Sequence, residues 1–155
     1  MPVIVVGADS SWGEEIVKGL LGRQGEVRAL VSDATAAPAL KERGVKVAVG
    51  DLSDASLLGM AGRSAFSAVL VAEAAFDGRQ FAFARDSSAL FANWAEGLEE
   101  AGVRRVIWVR DRRAGAGEKE IAPRVPEWAV VETEDRPPAE VAQEVSVLDE
   151  LAELE

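Results

Sequence analysis

Val3-Ile4-Val5-Val6-Gly7-Ala8-Asp9-Ser10-Ser11-Trp12-Gly13 opens the chain and decides its architecture. Four β-branched apolar residues stopping at a glycine predict a short strand buried on both faces of a parallel sheet. After a loop over residues 8–12, Ile16, Val17, Leu20 and Leu21 recur at helical spacing through residues 13–22. Glu14 and Glu15 stand in the first turn, where the helix dipole favours them. A buried strand, a loop of mostly small residues and an amphipathic helix make the first half of a βαβ unit.

The pattern then repeats. Residues 27–31 read as strand two, 38–43 as a short helix closed by Gly44, 45–49 as strand three, 55–61 as another short helix and 68–71 as strand four. Phe81, Ala84, Ser88, Phe91, Ala95 and Leu98 alternate in steps of three and four, predicting one long helix over 77–101 that ends at Gly102. Residues 103–109 read as strand five, 110–126 as loop because Gly, Pro and charge occur there without period, and 128–131 as strand six. Pro137-Pro138 precedes a last helix over 139–154, with Val141, Val145, Leu148 and Ala152 in one apolar stripe and Val147, Leu151 and Leu154 in a second row beside it. Short connections between alternating strands and helices imply right-handed crossovers. The fold class is therefore α/β, a doubly wound parallel sheet of Rossmann type with five to six strands in a minimal single domain, ordered 3-2-1-4-5 and extended by the sixth. Residues 1–136 form the expected domain and 137–155 an acidic helix packed on it or on a partner.

At 155 residues the chain is long enough for one hydrophobic core. It has no Cys, no His and no Tyr, which excludes a thiolate nucleophile, an imidazole base, disulfides and nitrogen- or sulfur-ligated zinc. The net charge of -10 is unevenly spread: residues 1–117 hold 15 acidic and 14 basic side chains, residues 118–155 hold 12 and 3. An acidic tail suits neither nucleic acid nor anionic lipid, and no apolar run is long enough for membrane insertion. The N-terminus enters strand one without a basic region, so no targeting peptide is read. The expected compartment is the cytoplasm, or an organelle interior had such a peptide been removed.

The opening stretch resembles that of atypical short-chain dehydrogenase/reductases of the NmrA-like type, in which a strand leads into Gly-Ala-Thr-Gly-x-x-Gly. Residues 26–31, 44–54, the helix carrying Asn93 and residues 101–106 follow in that family's order. The resemblance implies a Rossmann-type fold and a nicotinamide dinucleotide cleft formed by Gly7, Asp9, Ser10, Ser11, Trp12 and Gly13, by Ser32 and Asp33 past strand two, by Asp51 and Leu52 past strand three, and by Ala72 past strand four.

Two departures weaken that cleft. Ser10 replaces the middle glycine and Asp9 the threonine. A carboxylate about 4 Å from a phosphate charge costs roughly 1 kcal/mol in water and about 4 kcal/mol at an effective dielectric of 20. The alternative is that Asp9 and Ser10 cap the helix. Ser32-Asp33 stands where NADP-binding relatives place an Arg, and Asp33 lies at the spacing of a ribose-binding acid, so NAD is favoured over NADP if either binds. Asp33 starting a turn is the competing reading. Asp51 faces the adenine edge in relatives, or is a loop residue capping the helix near Asp54. The Tyr-x-x-x-Lys pair of hydride-transferring relatives is missing.

The expectation is thus a protein without a catalytic site and with no cofactor expected, NAD being possible and NADP less so, that works as a structural, assembly or regulatory subunit. A small NAD(H)-binding sensor or oxidoreductase is the alternative. Arg110, Arg112 and Arg113 either grip an anion at the sheet edge or pair with the acidic tail. The two apolar rows of the last helix suggest a protein partner or a homo-oligomer, or else core packing. The four tryptophans read as core or interface anchors.

Overall fold

A computed structural model describes residues 1–112 and 115–154. Six parallel strands form one sheet in the order β3-β2-β1-β4-β5-β6: β1 Val3–Val6, β2 Val27–Val31, β3 Lys46–Val49, β4 Ser67–Val71, β5 Arg105–Arg110 and β6 Glu127–Glu132. The predicted order is the observed one. Val3 stands opposite Val27 on one side and Ser67 on the other, so β1 lies at the centre of the sheet.

Because successive side chains point to opposite faces, each strand feeds two cores. Val3, Val5, Val69, Val71, Ile107 and Val109 meet Ile16, Val17 and Leu20 of helix α1 (Ser11–Leu20), Leu40 of α2 (Ala37–Glu42), and Val141 and Val145 of α6 (Pro138–Glu150). Ile4, Val6, Leu70, Val106 and Trp108 meet Leu58 of α3 (Ala55–Ala61), Leu90, Phe91, Trp94 and Leu98 of α4 (Ser87–Ala101), and Ile121 of α5 (Gly115–Ile121). The continuous apolar runs of β1 and β4 are required because both their faces are covered.

Trp94 and Trp108 are fully buried, and their ring centroids lie 5.5 and 5.1 Å from that of Phe91. Trp94 Nε1 donates to the Leu52 carbonyl at 2.9 Å, tying α4 to the loop after β3. Trp128 stacks on Trp108 at 6.0 Å. The tryptophans of α4 and β5 are core anchors, as the sequence suggests.

Three predicted elements need correction. Residues 77–86 are loop, and α4 begins only at Ser87, where Asp86 caps the Ala89 N–H at 2.8 Å. The apolar spacing continues back to Phe81, but an Asp cap before two serines is the stronger local preference. The stretch read as loop over 110–126 holds α5, whose Gly117 lies so close to Trp108 that an added Cβ would stand 2.5 Å from the indole ring. The last helix stops at Glu150, not 154, leaving Leu151 as its C-cap and Ala152 exposed. The predicted stripe therefore keeps Val141 and Val145 buried and Leu148 half-buried, and the second row is not one helix face. No helix among the described residues is long and apolar enough to cross a membrane.

Candidate functional site

The carboxyl ends of β1, β2 and β4 converge where the strand order reverses, the place at which open α/β sheets bind ligands. Gly7 adopts φ +84°, and an added Cβ would meet Ala74 Cβ at 2.9 Å. Gly13 lies under the same turn, where a Cβ would stand 2.1 Å from the Gly7 carbonyl oxygen. Both glycines serve the tight turn and the close helix–strand packing.

Ser10 is the N-cap of α1: its hydroxyl donates to the Gly7 carbonyl at 2.6 Å and accepts from the Gly13 N–H at 3.1 Å. The capping alternative holds for Ser10. Asp9 instead turns toward β2, where its Oδ2 accepts the backbone N–H groups of Ser32 and Asp33, each at 3.0 Å. Its Oδ1 pairs with Arg79 Nη1 at 2.8 Å, and Arg79 also donates to Ser32 Oγ at 2.9 Å. Asp9 therefore neither caps the helix nor stands as a bare charge.

Arg79 comes from the loop after β4 and crosses the cleft mouth. Burial opposes its charge, but hydrogen bonds to Asp77 and Asp9 outweigh that and raise its pKa. Asp77 is held below its ordinary value by the same guanidinium, against the cost of burial. Asp33 caps the turn that follows β2, accepting from the Thr35 hydroxyl at 2.7 Å and N–H at 2.9 Å, and these bonds lower its pKa. That is the turn-starting reading of Asp33.

Past β3, Asp51 accepts the Ser53 hydroxyl and N–H and, across the cleft, the Ala82 N–H at 2.6 Å. Burial opposes its ionisation, yet these donors hold its pKa below the ordinary value. Asp54, not Asp51, caps α3. Ser53 Oγ accepts from the Phe83 N–H and Asn93 Nδ2 donates to the Phe83 carbonyl, both at 3.0 Å, so loop 77–86 is fastened over this part of the cleft. Leu52 is buried in the core.

At the N-terminus of α1 stands Glu73, from the turn after β4. Both its carboxylate oxygens accept from Ser11 Oγ at 2.9 Å, and Oε1 accepts the Trp12 N–H at 3.2 Å. Ala72, beside it, is buried. The hollow lined by Trp12, Val71, Glu73, Val109, Arg110, Asp111 and Thr133 has a volume of about 10 Å³, the room of about one water molecule. Glu73 and Arg79 escaped the sequence reading, since they reach their partners across 62 and 70 residues and belong to no local motif.

These residues do not fit a dinucleotide as arranged. Glu73 takes the N–H that would face the pyrophosphate, Asp9 takes the N–H groups past β2, and Asp51 takes a backbone N–H in place of an adenine amine. Five carboxylates, of Asp9, Asp33, Asp51, Glu73 and Asp77, stand around the mouth against the guanidinium groups of Arg79 and Arg110, and the net negative field repels an anionic ligand. The arginines after β5 pair with acids: Arg110 with Glu118 and Glu132, and Arg112 with Glu134 at 3.5 Å. Arg113 lies outside the described residues. Among the described residues no cluster suited to a metal occurs.

The fold is shared with solved reductases. Triphenylmethane reductase from Citrobacter sp., in complex with NADP(H), superposes with a TM-score of 0.80 at 16% identity over 99% of this chain and 67% of its own. An anaerobillin reductase of Escherichia coli O157:H7 gives 0.68 at 19% over 99% and 92%, and an NADPH-dependent quinone oxidoreductase of Escherichia coli, complexed with NADPH, gives 0.68 at 17% over 84% and 48%. The chain thus spans about two thirds of the first of these and about half of the last. No curated protein matches its sequence. The NAD(P)H-binding family does match, over residues 7–144, from the turn after β1 into α6. The chain belongs to the NAD(P)H-binding family.

Proposed function

We propose that this protein is a member of its family that does not run hydride transfer and that acts as a structural, assembly or regulatory subunit through protein contacts. The observation that carries this reading is the cleft filled by its own side chains, with Glu73 on the α1 N-terminus and loop 77–86 fastened to Asp9 and Asp51. The missing Tyr agrees with it, since the acid/base pair of hydride-transferring relatives has no counterpart here. Contact with another chain is proposed at Val147 and Leu151, 49% and 44% exposed and one turn apart at the end of α6.

Calorimetric titration with NAD, NADH, NADP and NADPH tests the cleft. The expected result is no binding tighter than about 1 mM, whereas a dissociation constant below about 1 μM would overturn the reading. Size-exclusion chromatography with light scattering tests the contact. Val147→Asp should abolish any association of the wild type and leave the fold intact.

A second reading, a dinucleotide sensor or reductase, draws support from the family match and from the fold shared with reductases holding NADP(H) or NADPH. It requires loop 77–86 and Glu73 to leave the cleft.

A further inference from the structure

We infer that Glu73 is an internal anion that stands in for a pyrophosphate, so that removing its charge converts the α1 N-terminus into a site for a diphosphate. The inference deepens the closed-cleft reading above and rests on it. A helix N-terminus attracts anions because its first N–H groups lack helical partners and the helix dipole is positive there. In α1 two of those groups are already served. Ser10 Oγ takes the Gly13 N–H, and Glu73 takes the Trp12 N–H together with the Ser11 hydroxyl. The Ser10 contact is an ordinary cap. The Glu73 contact is not local, because the carboxylate is delivered from the far side of the switch point by the turn after β4.

A carboxylate on two donors at a helix start matches a phosphate in charge sign and acceptor geometry. It also repels a phosphate brought to the same donors. Of the acids at the mouth, Glu73 alone touches α1. Asp9 is bound to Arg79 and the β2 end, and Asp51 to Ser53 and Ala82. One residue therefore separates this helix start from an open anion site.

Calorimetry on the wild type, Glu73→Ala, Glu73→Gln and Glu14→Ala, with NADPH and inorganic pyrophosphate as probes, tests this. Glu14 is exposed in the first turn of the same helix, so Glu14→Ala removes the same formal charge without opening the site. Both Glu73 variants should bind the probes at least tenfold more tightly than the wild type, and Glu14→Ala should change affinity less than threefold. In Glu73→Ala, pyrophosphate should shift the Trp12 amide resonance. Glu73→Gln keeps a hydrogen-bond acceptor on Trp12 and gives the answer should the alanine variant fold poorly, as judged by near-ultraviolet circular dichroism.

Equal gains in the Glu14 and Glu73 variants, or no gain in a folded Glu73→Gln, would overturn the inference. A wild type that already binds NADPH at micromolar concentration would refute the closed-cleft reading. If Glu73→Ala then bound still more tightly, the internal anion would stand, and if it bound more weakly Glu73 would be a cofactor ligand and the inference would fall.

Discussion

Arg105 and Glu127 face each other across β5 and β6, with Arg105 Nη2 2.8 Å from Glu127 Oε1. Arg105 is fully buried, and its Nη1 donates to the carbonyls of Leu148, Asp149 and Leu151 at 2.8, 3.1 and 2.6 Å. Glu127 Oε1 also accepts the Leu154 N–H at 2.7 Å. One ion pair at the amino edge of the sheet thus closes α6 and holds the chain beyond it. It also explains why the helix stops at Glu150 without a glycine: the guanidinium satisfies the terminal carbonyls that a left-handed cap would otherwise serve.

Arg105→Ala should destabilise the protein by about 3–5 kcal/mol, because three carbonyls lose their donor and the Glu127 carboxylate loses its buried partner, keeping only the exposed Arg104 guanidinium and the Leu154 N–H. Urea unfolding followed by tryptophan fluorescence measures it. A loss under about 1 kcal/mol would show that water replaces the guanidinium.

Gly97→Ala should cost about 1–3 kcal/mol through overpacking. The added Cβ would stand 2.8 Å from the Ala55 carbonyl oxygen and 2.9 Å from Leu58 Cβ, where α4 crosses α3. Helix propensity alone favours alanine by about 1 kcal/mol, so an unchanged or raised thermal midpoint would mean that the two helices can separate slightly.

Asp9→Ala should loosen the Arg79 end of loop 77–86, while Asp51, Ser53 and Asn93 still hold residues 82 and 83. Asp9 is the one acid that joins Arg79 to the β2 end, through contacts of 2.8 and 3.0 Å. Trypsin cleavage after Arg79 should accelerate relative to cleavage after Arg85, which is exposed in the wild type. Mass spectrometry of the early fragments gives the ratio, and an unchanged ratio would show that Asp77 and Ser32 suffice to hold the arginine.

Stability should be flat from about pH 5.5 to 8 and fall below about pH 4. Without histidine no side chain of ordinary pKa titrates in the upper range. Asp51 and Asp77 have folded-state pKa values depressed below their unfolded ones, so each contributes stability that is complete above the unfolded value and is lost as pH falls through the folded value. Urea midpoints across that range check this, and a transition centred near pH 6.5 would contradict it.

The sheet was legible because β1 and β4 are short runs buried on two faces and β2 is apolar but for Arg28, which leaves few alternatives, and right-handed crossovers then restrict the order. α5 was hidden by Gly115 and Gly117, which propensity disfavours, and Trp108 requires the second of them. The start of α4 was obscured by Phe81 and Ala84, which continue its spacing although their backbone belongs to the loop. At the cleft, Ser10 and Asp33 took the local roles that their types favour. Asp51 took a local role too, with Ser53, but its bond from Ala82 and the bonds of Asp9 from Ser32, Asp33 and Arg79 cross the chain, and no short-range rule connects those positions.

The central place of β1 has a consequence for the order in which the ribosome delivers the chain. β1 emerges first and can pair with β2 about 20 residues later, but its other edge waits for Ser67–Val71. Until then a row of unpaired peptide groups on the most apolar strand faces outward, open to pairing with a neighbouring nascent chain. A nascent chain stalled before residue 67 should therefore be prone to self-association, and delivery of β4 should end that vulnerability.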